Sequence, residues 1–97
     1  MNINIKVGRI VRDPQLRYTN NGIPVCNFTL AVDRGYSNNN GDTETDFFKI
    51  VTWRKVAESC AQYLEKGRQV ALRGQDRIRE SKDKNDTTHY NHEIHAN

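Results

Sequence analysis

Apolar residues along this chain keep strand spacing, switch once to helical spacing, and then return. From Ile3 to Arg12, Ile3, Ile5 and Val7 share one face and Ile10 takes the other. This predicts a strand covered on both sides over part of its length. Asp13-Pro14 ends it, because proline lacks the donor a ladder needs, and Asn20-Asn21-Gly22 tolerates the positive φ of a turn. Val25 to Arg34 is the clearest strand, with Cys26, Phe28, Leu30 and Val32 on one face and Asn27, Thr29 and Asp33 on the other. The polar run from Gly35 to Thr45 predicts a long loop. Asp46 to Trp53 is a third strand, rich in β-branched and aromatic residues.

The period then changes. Val56, Ala57, Cys60, Ala61 and Leu64 form a helical apolar stripe, and Gly67 suits the left-handed residue that follows a helix. Val70 to Arg79 alternates again, Ser81 to Thr87 is a charged loop, and Thr88 to Ala96 is a last, weaker strand. Strand, strand, strand, helix, strand, strand is the order of an all-β, five-stranded OB-fold barrel with one helix between strands 3 and 4. All 97 residues are assigned to this one domain.

Composition adds little to this picture. Fifteen Lys and Arg oppose twelve Asp and Glu, a net charge of +3, which permits a polyanionic partner without requiring one. No run approaches the roughly 18 apolar residues of a membrane span, and the N-terminus lacks a secretory pattern. Cys26 and Cys60 form no C-x-x-C pair and fall on apolar faces, so both are expected to be reduced core residues of a cytoplasmic protein.

Candidate chemistry centres on the third strand. Phe47, Lys49, Val51 and Trp53 share a face opposite Phe48 and Ile50. Flat rings accept unstacked bases and an ammonium between them meets phosphates. The competing reading is a strand buried on both faces with Lys49 at an edge. On the fourth strand Arg73, Gln75, Arg77 and Arg79 lie opposite Val70, Leu72 and Ile78. Such a stripe is either a solvated face or a groove that tracks a nucleic-acid backbone. Arg34, Tyr36, Lys55 and Lys66 flank these strands and would extend a groove.

Several runs resemble bacterial single-stranded DNA-binding proteins: Val7-Gly8-Arg9-Ile10-Val11-Arg12-Asp13-Pro14, Leu16-Arg17-Tyr18-Thr19 with Asn21-Gly22, and Asn27-Phe28-Thr29-Leu30-Ala31-Val32. Trp53-Arg54-Lys55-Val56-Ala57-Glu58, Tyr63-Leu64-Glu65-Lys66-Gly67 and residues 74–79 continue the likeness over nearly the whole chain. The resemblance implies a homotetramer that coats single-stranded DNA without sequence specificity in replication, recombination and repair. It places stacking aromatics on Tyr36, Phe47 and Trp53, and basic contacts on Lys49, Lys55, Lys66, Arg77 and Arg79. The chain departs from that family at Ser81, which replaces a frequent aromatic, and at His95, which replaces an apolar residue. It ends at Asn97 without the acidic tail the resemblance implies, which fits a trimmed domain or a short variant.

Other sites are set aside. His89, His92 and His95 are spaced by three, but on a strand His92 faces away from the other two, so no metal is expected. No phosphate loop, nucleophile elbow or H-E-x-x-H motif is present. Asp42, Glu44 and Asp46 read as solvated acids. No cofactor and no catalytic residue is therefore expected. The rival readings are an OB module that binds mainly protein, which would bury Phe47 and Trp53 at that interface, and a nucleic-acid enzyme, which needs clustered acids or a metal. Asp76 interrupts the apolar face of the fourth strand. Counted from a turn near Lys84 it lies opposite His92, so it either pairs with that histidine or is hydrated where the hairpin splays.

Overall fold

A computed structural model describes residues 1–37 and 43–97, with side chains for 1–35 and 44–97. It contains β1 (Asn4–Ile10), β2 (Gln15–Tyr18), β3 (Pro24–Ser37), β4 (Thr43–Trp53), α1 (Arg54–Tyr63), β5 (Gln69–Lys82) and β6 (Thr88–Ala96). Neighbours in the sheet run β1-β5-β6-β4-β3-β2, and β1 also pairs with β3. Five strands thus close a ring, with the helix between its third and fourth strands in chain order. This is the OB architecture that the apolar spacing predicts.

The closure depends on Gly8. A Cβ there would collide with the carbonyl of Ala31, so only glycine lets β1 approach β3 this closely. Beside it Arg9 pairs with Ala31 and Ile10 with Leu30. Inside the ring Ile10, Phe28, Leu30, Ile50 and Ile94 form the core, and Cys60 and Leu64 pack against it. Ala57 of α1 is fully buried, whereas Val56, expected in the helical stripe, stays exposed. Buried Thr52 donates its hydroxyl to the Cys26 carbonyl at 2.8 Å. Cys26 is fully buried, and burial, helped by the nearby Cys60 sulfur, pushes its thiol up to about 11. Burial raises the Cys60 thiol as well, so both behave as neutral core groups.

Three parts differ from the sequence reading. Gln15–Tyr18, given no element by the apolar spacing, is an added strand on the outer edge of β3. The expected loop at 35–45 is shorter, since β3 runs to Ser37 and β4 starts at Thr43; residues 38–42, including Asp42, lie outside the described residues. On β1 the inward positions are Lys6, Gly8 and Ile10, while Ile3, Ile5 and Val7 face outward, all more than half exposed. Lys6 is held inward by Phe48, whose ring centre lies 4.5 Å from the ammonium.

The β5–β6 hairpin reverses around Asn85, one residue later than expected. Asp76 therefore sits opposite Ile94, and His92 opposite Ile78. Asp76 and His92 still meet as diagonal neighbours, with Nε2 to Oδ1 at 2.7 Å. The Asn4 amide donates to both carboxylate oxygens at 3.0 Å. Asn4 first and His92 second hold the Asp76 carboxyl below the usual carboxylate range. Ile78, assigned to the apolar face, is 65% exposed because it lies on the part of the hairpin that leaves the ring.

Candidate nucleic-acid interface

β4 sends Phe48 and Ile50 toward the core and Phe47, Lys49 and Trp53 outward. Val51 shares the outward face but is 7% exposed, because neighbouring strands cover it. Phe47 is 64% and Trp53 40% exposed, so the strand is not enclosed on both faces. No loop separates β4 from α1. Arg54 takes the left-handed φ of 58°, which turns the chain directly into the helix and leaves Trp53 at the strand's end.

The outward face continues across β3 through register partners: Val25 beside Trp53, Asn27 beside Val51, Thr29 beside Lys49 and Ala31 beside Phe47. β2 adds Arg17 and Tyr18 beside Val25 and Pro24. On the other side β6 runs parallel to β4, placing His95 opposite Val51. The result is an open groove of two adjoining hollows. One is lined by Tyr18, Val25, Trp53 and His95, the other by Arg12, Asp13, Gln15, Thr29 and Lys49; Arg17, Asn27, Val51, Arg79 and Glu93 line both.

Four cations, Arg12, Arg17, Lys49 and Arg79, thus line a groove that has an indole at one end. Its two acids are already engaged. Asp13 accepts the backbone N–H of Lys66 at 2.8 Å, and Glu93 lies 3.2 Å from the His95 ring nitrogen and 3.9 Å from Arg79. The arrangement offers a flat surface for a base and separated positive charges for phosphates.

Sequence-predicted residues divide around this groove. Trp53, Lys49 and Arg79 line it together. Phe47 borders a separate hollow with Val7, Gly8, Arg9 and Gln69. Lys55 in the first turn of α1, Lys66 beyond its end and Arg77 on β5 are exposed but do not line the groove. The side chain of Tyr36 lies outside the described residues. Arg34 does not extend the groove: it grips Asp46 through two bonds of 2.9 and 3.1 Å and also pairs with Glu44. That pairing holds the Asp46 carboxyl below its usual range, so these acids are paired with an arginine on the surface. Among the described residues no group of His, Cys, Asp and Glu is placed to hold a metal ion, and no helix is long and apolar enough to cross a membrane.

Sequence reasoning missed Arg12, Arg17, Tyr18, Asn27, Glu93 and His95 as groove residues.

A family model described as the single-strand binding protein family matches residues 1–97. The chain belongs to the single-strand binding protein family. Its similar proteins include one named single-stranded DNA-binding protein from Caldanaerobacter subterraneus subsp. tengcongensis, 46% identical over 96 residues, covering 99% of this chain and 64% of that protein. Another of the same name, from Oceanobacillus iheyensis, is 43% identical over 96 residues, covering 99% of this chain and 60% of its own length. A Bacillus cereus protein of that name is 55% identical over 67 residues, covering 69% of this chain and 39% of its own. The chain therefore spans less than two-thirds of the length of these family members.

Proposed function

We propose that this chain is a single OB domain that binds and coats single-stranded DNA without sequence preference, serving replication, recombination and repair in the cytoplasm. The observation that carries this reading is the groove beside β4, with Trp53 at one end and Lys49, Arg12, Arg17 and Arg79 along it. Bases stack on Trp53, with Phe47 and Tyr36 as further platforms, while Lys and Arg side chains neutralise phosphates. Lys55, Lys66 and Arg77 contribute charge around the groove. Similar proteins named single-stranded DNA-binding protein support the DNA-binding part of this reading.

Assembly follows from β1. Ile3, Ile5 and Val7 are exposed at 55%, 71% and 53% and form an apolar row. We propose that this row is covered by the same strand of a second copy and that two such dimers make a tetramer.

Competition between oligo-dT, oligo-dC and duplex DNA tests the binding reading. Similar affinities for the two single strands and far weaker binding to duplex are expected. A preference for duplex, or capture of a protein partner at Trp53 with no DNA binding, overturns it.

A further inference from the structure

We propose that His95, oriented by Glu93, is a positioning residue that holds the Trp53 ring in place at the end of the groove. This rests on the reading of Trp53 as a stacking platform. The Trp53 indole N–H donates to His95 Nδ1 at 3.1 Å. The two rings lie edge to edge and nearly in one plane, with centres 6.1 Å apart and planes inclined by 24°, as an in-plane N–H to a ring lone pair requires. Indole nitrogen is only ever a donor, so Nδ1 must be the acceptor and the neutral ring carries its proton on Nε2. That nitrogen lies 3.2 Å from Glu93 Oε1, placed to donate to the carboxylate. The two bonds require the same tautomer, so the Glu93 contact selects the ring form that can receive the indole.

The side chains of His95 and Glu93 are 20% and 14% exposed, which restricts their movement. Trp53, by contrast, is 40% exposed and keeps an open part for a ligand. A tryptophan at a strand end would otherwise lose rotamer freedom when a base arrives, and holding it beforehand removes that cost. The arrangement works only with neutral imidazole. Once protonated on both nitrogens, His95 is a donor only and releases the indole. The charged or titratable groups around it are Arg17 and Tyr18 from β2, Glu93 from its own strand, and, on β5, Arg79 in the hollow with Arg73 and Arg77 on the same face either side of Gln75, its register partner; β3 and β4 contribute none to this hollow.

The test uses His95→Phe, which keeps a ring but removes the acceptor, and His95→Asn, whose amide oxygen can replace Nδ1. Trp53 is the sole tryptophan, so its emission reports on the ring directly. At about pH 8, His95→Phe should shift the emission of the DNA-free protein and weaken oligo-dT binding about 2- to 10-fold, the range of one hydrogen bond. His95→Asn should restore both. In a Trp53→Ala background, where anisotropy of labelled oligo-dT is the readout, His95→Phe should weaken binding no further. Unchanged emission in His95→Phe, or an equal loss of affinity in both backgrounds, overturns the proposal. If Trp53→Ala alone leaves binding unchanged, the stacking reading fails instead, and the DNA-free emission still decides whether His95 holds the ring.

Discussion

Trp53 and Phe47 sit on the same strand and face the same way, yet their surroundings differ. Trp53 lies at the end of a groove, edge to edge with His95 and hydrogen-bonded to it. Phe47 stands 64% exposed over a separate hollow shared with β1. Alternation along β4 puts both rings outside, but only neighbouring strands decide whether a ring is held. β2 and β6 enclose the Trp53 end, while the Phe47 end opens toward the outer face of β1, beside Val7. A held ring surrounded by cations is a stronger platform than a free one, because less freedom is lost on binding.

The largest expected effect follows from this difference. Trp53→Ala should weaken oligo-dT binding by roughly 1–3 kcal/mol, and Phe47→Ala should fall at the lower end of that range. Anisotropy titrations of the two variants give the order directly, and a larger loss at Phe47 would reverse the comparison.

Charge gives a smaller effect of a different kind. Lys49→Gln and Arg79→Gln remove groove cations while leaving both rings in place. Each should reduce the steepness of the salt dependence by about 0.7 in the logarithmic slope if it neutralises one phosphate. Arg77→Gln, on the same strand as Arg79 but outside the groove, should change it less. Equal slopes for all three would mean that the groove does not focus the contacts.

The smallest expected effect on binding comes from Asp76, which lines neither hollow. Its carboxyl is held below the usual range, so its stabilising contribution is present above the unfolded value of about 3.9 and is lost as pH falls through the lower folded value. Asp76→Asn should flatten the acid limb of thermal stability and leave oligo-dT affinity at neutral pH unchanged. Thermal melts across an acid pH series check this, and an altered affinity would tie Asp76 to the interface.

Much of this was legible in the chain, for identifiable reasons. β4 and the inner face of β3 are long, regularly alternating strands, so the positions of Phe48, Ile50 and the buried Cys26, Phe28 and Leu30 follow from period alone. β2 has four residues, all exposed, and no period to read. The inward placement of Lys6 and Gly8 against outward Ile5 and Val7 reverses the usual rule. It depends on the Phe48 ring and on the close approach of β3, which are tertiary facts. The same holds for the groove: Arg17, Asn27, Glu93 and His95 come from three strands that only the closed sheet brings together. The Asp76–His92 pair was legible by counting from a turn, although the register was displaced, because diagonal neighbours remain within reach of a histidine.

The most direct measurement of the central claim is a titration of the protein with oligo-dT while following Trp53 emission. Stacking of a base on the indole predicts saturable quenching whose midpoint moves to higher DNA concentration as salt rises. Emission that stays constant while an independent probe shows DNA bound would contradict the account, because DNA would then be held away from Trp53.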